Sequence, residues 1–180
     1  MASVNVSWHW FKWQFGYKWH DILPQLEKVG LTEHDLERSV YVIRAAGSFA
    51  INYKYGASPT LYIGEGNFKQ RIVQHRTWLE PLVNLVGEFP ISIGVSIPKL
   101  KYYPEVYKYV EAALIQEFIS EYGCLPLKNR HKEYPRHECQ YEPTETLRSA
   151  IMIGKGYRYQ WALEPLRANR FYEDYIRGFD

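Results

Sequence analysis

Cysteine is nearly absent from this chain. Its 180 residues hold two, Cys124 and Cys139, too few for a small scaffold stapled by disulfides. Long apolar runs are missing too, the longest falling far short of the roughly 20 residues that span a bilayer as a helix. Charge of one sign is not in excess: 22 basic against 20 acidic side chains leave a net charge of +2. Affinity for a polyanion would therefore need cations gathered on one face. No internal repeat, linker or low-complexity segment interrupts the sequence. No secretory pattern opens it, and a reducing cytoplasm is the expected setting.

What is abundant is aromatic. Tyr, Trp and Phe make up 17% of the chain and hydrophobic residues 46%, enough to build a proper core in one α+β domain covering residues 1–180. Trp8, Trp10, Phe11, Trp13, Phe15, Tyr17 and Trp19 crowd the start. Val6, Trp8 and Trp10 share one parity of an extended chain, while Phe11, Trp13 and Phe15 share the other. The expectation is a buried strand, apolar on both faces, with a partner subunit as a candidate cover; stacking of single-stranded bases is the competing use.

Periodicity places further elements. Thr32 caps a short helix with Asp35 in its first turn. Ser39–Ala46 reads as a strand, Gly47 and Ser48 as a turn, and Phe49, Ile51 and Tyr53 as a returning strand. Gly56 to Pro59 breaks the chain, a strand starts at Thr60, and Phe68, Arg71, Ile72 and His75 recur at helical spacing. Ile91–Ile97 alternates as a strand with one buried face. Pro104 opens a long helix with the stripe Val106, Val110, Ala113, Leu114 and Phe118, closed near Gly123. Residues 124–145 read as loop, 145–153 as a short helix, and 161–179 as a last helix.

Certain residues stand in an order that carries chemistry: Val40-Tyr41-Val42-Ile43, Leu61-Tyr62-Ile63-Gly64, Arg71 with His75 one helical turn later, Glu111-Ala112-Ala113-Leu114-Ile115, and Pro126-Leu127-Lys128-Asn129. Taken together they resemble the GIY-YIG nucleases, with spacing nearest the restriction-endonuclease branch. The resemblance covers residues 39–130 as a catalytic core, leaving 1–38 as an aromatic-rich extension and 131–180 as a helical, basic one. The motif's leading glycine is Val40 here, and an extra hairpin around 47–56 separates the two tyrosine strands.

The resemblance implies an α/β sandwich with a small, mainly antiparallel three-stranded sheet flanked by helices. It also implies hydrolysis of DNA phosphodiester bonds with Mg²⁺ or Mn²⁺. Tyr41 and Tyr62 match the hydroxyls that position or deprotonate the attacking water, and Arg71 the guanidinium that stabilises the transition state. His75 matches a proton carrier, Glu111 the single carboxylate that binds the metal, and Asn129 an asparagine near the centre. Such a residue set suits phosphodiester hydrolysis, since a planar guanidinium matches two phosphoryl oxygens and magnesium needs few carboxylates.

Cationic side chains near this set, Lys69, Arg76, Lys128, Arg130, Lys132 and Arg136, are the expected contacts to the phosphates of double-stranded DNA. The expected role is restriction or defence, and a homodimer would let each copy cut one strand. A phage, mobile-element or repair nuclease, a catalytically silent DNA-binding module, and an enzyme docked to a protein through its Trp-rich start stand as alternatives. Cys124, His131, His137 and Cys139 offer zinc-type donors, but without the short paired spacings of a zinc site.

Overall fold

In a computed structural model the described residues are 2–46, 49–86, 91–134, 139–142, 145–152, 161–163, 167–168 and 173. They form a mixed α+β fold of small sheets flanked by helices. Among them no helix is long and apolar enough to cross a membrane.

The central sheet has four antiparallel strands: β2 (His9–Trp13), β7 (Ile91–Ser96), β3 (Ser39–Ala45) and β6 (Thr60–Gly66), side by side in that order. The fourth strand corrects the expected three, because the N-terminal segment joins the sheet as β2. Only Phe11 and Trp13 of this strand are buried, whereas Trp10 is 40% exposed and Phe15, past the strand's end, 56%. A strand apolar and buried on both faces is thus not what forms. Trp10 instead lies opposite Gly94 and beneath the Arg44 guanidinium, 4.9 Å from the ring centroid. A Cβ at Gly94 would stand 2.7 Å from that indole. Val6 and Trp8 lie in the connection from β1 (Ala2–Asn5), not on the same strand as Trp10.

β7 is buried on both faces rather than one, since it is an interior strand with elements packed on either side. Helices α1 (Trp19–Glu27) and α2 (Phe68–Val86) cover the face that presents Phe11 and Tyr41. Phe68 stands at their junction, in ring contact with Phe11, Trp19 and Tyr41. The other face meets α3 (Val106–Tyr122) and α4 (Thr146–Ile151), where Arg44 donates to the Ser149 and Met152 carbonyls.

α1 has no counterpart in the sequence reading. Ile22 and Leu26, one turn apart, bury against the sheet despite Pro24 in the helix. Thr32 and Asp35 do cap each other: the Asp35 carboxylate accepts from the Thr32 amide and hydroxyl, and the Thr32 hydroxyl accepts from the Asp35 amide. What they start is a single 3₁₀ turn, Asp35–Arg38. α3 begins two residues after Pro104 and ends at Gly123 with φ +74°.

β4 (Phe49–Tyr53) does not return along β3. It pairs with β5 (Gly56–Ser58), where a chain break was expected, and in parallel with β9 (Trp161–Leu163). Residues 161–163, the start of the expected last helix, are strand, and most of 164–179 lies outside the described residues. The loop expected over 124–145 contains β8 (Cys139–Glu142), parallel to β1. Neither β8 nor β9 has a periodicity of its own; each exists through its pairing partner.

Gly123 both takes a left-handed conformation and lies under the Tyr55 ring, where a Cβ would approach within 2.6 Å. Gly123→Ala should therefore destabilise the protein by about 1 kcal/mol or more, read as a lower urea midpoint with an unchanged slope.

Candidate active site

The register of β3 on β6 builds the centre of the site. Tyr41 lies opposite Gly64 and Ile43 opposite Tyr62, so both tyrosines rise from one face. Their rings stack at 6.0 Å between centroids. The glycine is required by this closeness, because a Cβ there would stand 2.5 Å from the Tyr62 ring and 2.7 Å from the Tyr41 hydroxyl.

α2 lies over this pair and carries the next residues at helical spacing. His75 is 8% exposed. Its Nε2 is 2.8 Å from the Tyr41 hydroxyl, and its Nδ1 accepts from the Trp78 indole N–H at 3.1 Å. Burial pushes the imidazole down to about 4, and the Arg71 cation adds to the shift. His75 is consequently neutral at pH 7. Burial raises both phenols as well: Tyr41 is wholly enclosed, while Tyr62 is half-buried and opens onto solvent.

The cations of α2 fall into two kinds. Lys69 pairs with Glu33 at 2.7 Å and Arg76 with Glu80 at 2.8 Å. Arg71, exposed and one turn before His75, has no hydrogen-bonded or ionic side-chain partner among the described residues. A cation left without a carboxylate is the one of the three available to an anionic ligand.

Around the free edge of β6 the site continues onto α3. Glu111, Lys128, Asn129, Arg130, His131 and Glu133 line a cleft of about 220 Å³ together with Tyr62 and Ile115. Glu111 sits between buried Val110 and Ala112. Burial pushes its carboxyl up to about 8, Glu65 and Glu133 adding to the rise and Arg71 opposing it. No hydrogen bond or ion pair holds this carboxylate among the described residues, so the charged form lacks compensation. A divalent cation is a chemically fitting complement for such a group, and the neighbouring carboxylates favour it further. Among the described residues no three His, Cys, Asp or Glu side chains form a metal cage; a hard cation that keeps most of its waters does not need one.

Asn129 lines the cleft and also binds the backbone of β6. Its Oδ1 accepts from the Ile63 amide at 3.0 Å and its Nδ2 donates to the Ile63 carbonyl at 2.8 Å. The Lys128 amide adds a bond to the Leu61 carbonyl at 2.9 Å. Together they close the edge of β6 and hold Tyr62 and Gly64 in place. The Lys128 ammonium lies 5.3 Å from the centroid of the Trp78 ring. Arg130 and Lys132 are exposed beside the cleft, and Arg136 and His137 fall outside the described residues.

Sequence reasoning missed Glu65, Trp78, His131 and Glu133 as members of the site. Trp78 had a signal, standing three residues after His75 on one helix face. Glu133 had none: it reaches the cleft because the loop is tied to α3 by a bond from the Gln116 amide to the Glu133 carbonyl. No protein-family model matches this chain, and neither a curated protein nor a solved structure matches it.

His75 generates a pH dependence of stability. Its folded value lies below the ordinary 6.5, so its contribution is complete above that value and is lost as pH falls toward 4. Urea unfolding of the wild type and His75→Gln across this window should show the wild type losing stability more steeply toward acid.

Proposed function

We propose that this protein is a divalent-metal-dependent endonuclease that hydrolyses phosphodiester bonds of DNA, with a core of the GIY-YIG kind. The observation that carries the reading is the approach of a cation and a buried carboxyl, neither held by a hydrogen bond or ion pair among the described residues. The Arg71 guanidinium and the Glu111 carboxyl act on one another, and both act on Tyr62, which lines the cleft with Glu111. A phosphodiester with a bound cation supplies the anion that Arg71 lacks and the positive charge that Glu111 lacks.

Arg71 binds the scissile phosphate and stabilises the charge that grows on its oxygens. Tyr62 orients the attacking water, and the enclosed Tyr41 and His75 hold Tyr62 in position. Glu111 holds Mg²⁺ or Mn²⁺, which when bound supplies further charge stabilisation at the phosphate. Lys128, Arg130 and Lys132 stand beside the cleft for contact with the strand. Lys69 and Arg76 are the weaker candidates, because carboxylates already neutralise them.

The substrate class we favour is double-stranded DNA, cut by a homodimer in a restriction or defence role. Self-association through the exposed Trp10 and Phe15 belongs to the same proposal.

Supercoiled plasmid incubated with the purified protein and Mg²⁺ should be converted to discrete fragments. Arg71→Ala and Glu111→Ala should each lower the rate about 10²–10³-fold while leaving the unfolding free energy within about 1 kcal/mol of the wild type. A folded wild type that binds the plasmid without cutting it, with Mg²⁺ or Mn²⁺ present, would mark a silent binding module instead.

A further inference from the structure

We propose that Trp78 is a positioning residue that fixes the tautomer of His75, engaging the enclosed Tyr41 as an acceptor, while Tyr62 is the hydroxyl presented to the reacting phosphate and water. The chemistry of this proposal rests on the nuclease reading, but its structural part stands on geometry alone.

An indole N–H can only donate. Trp78 Nε1 lies 3.1 Å from His75 Nδ1, which must therefore present a lone pair. A neutral imidazole has a single N–H, and here it must sit on Nε2. That atom is 2.8 Å from the Tyr41 hydroxyl, so His75 donates and the Tyr41 oxygen accepts. The tautomer is set by the partner of the other ring nitrogen.

Two consequences follow for proton movement. Both nitrogens of His75 are engaged, one lone pair by Trp78 and the N–H by Tyr41, so the resting imidazole has no free site for a proton leaving Tyr41. The Tyr41 hydroxyl hydrogen is free to point onward, and the stacked Tyr62 lies beside it. Burial raises both phenols, so both hydroxyls keep their protons at neutral pH.

The hydrogen-bonded chain therefore runs Trp78, His75, Tyr41 and ends inside the protein, with the Tyr62 ring stacked beside its last member. Tyr41 has no exposed surface, whereas Tyr62 lines the cleft with Glu111. Of the two hydroxyls, only that of Tyr62 stands where a substrate can reach it.

The test begins with the wild-type protein and needs no substrate. Long-range ¹H–¹⁵N correlation at neutral pH should show His75 as the Nε2–H tautomer. A Nδ1–H imidazole, or a rapidly averaging mixture, would overturn the proposal whether or not the protein cleaves DNA. Trp78→Phe keeps an aromatic ring and removes the donor. It should convert His75 to mixed tautomers and lower kcat about tenfold, a change of roughly 1.4 kcal/mol in the barrier, with KM unchanged. If it unfolds the protein, the wild-type spectrum still decides. Among plasmid-cleaving variants, Tyr62→Phe should lose more activity than Tyr41→Phe; the reverse order would overturn the assignment. Absence of cleavage by the wild type would remove the nuclease reading and leave the tautomer result to decide the role of Trp78.

Discussion

The pairing of Tyr41 with Gly64 across β3 and β6 is the constraint from which the site follows. Two aromatic rings cannot stack over a strand position that carries a Cβ at 2.5 Å from one of them. A slip of β6 by one residue on β3 would send Tyr62 to the opposite face, toward α3 and away from Tyr41 and His75. The register is therefore held from both sides: β7 fixes β3 on its inner edge, and Asn129 clamps the outer edge of β6 at Ile63. Bonds that do no chemistry thus determine where the chemical groups stand.

Electrostatics divides the same region into satisfied and unsatisfied charge. Lys69 and Arg76 sit in ion pairs at half-exposed positions, which add little stability and consume their charge. Among the described residues Arg71 and Glu111 are left without such partners, one exposed and one largely enclosed. An enclosed carboxylate flanked by two others is unfavourable for folding. In the proposed function, that destabilised charge provides the affinity for a cation.

Much of this is legible in the amino-acid sequence. The strands of Tyr41 and Tyr62, the helix of Arg71 and His75 and the helix of Glu111 are legible from their apolar runs and stripes, because each packs into the common core. The ordered motif then points to side chains that the fold brings together, without showing their contacts. It could not show that Asn129 spends its amide on the backbone of Ile63, nor that Trp78 bonds His75. α1 was hidden by Pro24, which reads locally as a breaker although Ile22 and Leu26 anchor the helix through packing. β8 and β9 were hidden for the opposite reason: their residues carry no local signal and are strands only through β1 and β4.

The central claim is that Glu111 is the cation-binding group of a phosphodiester-cleaving site. Its most direct test is Mn²⁺ binding, followed by electron paramagnetic resonance, to the wild type and Glu111→Gln across neutral to alkaline pH. The expected result is one site per chain that is lost in the variant. In the wild type affinity rises with pH until the carboxyl, poised at about 8 in the free protein, is ionised. Binding that is equally tight in Glu111→Gln, or independent of pH over this range, would contradict the claim.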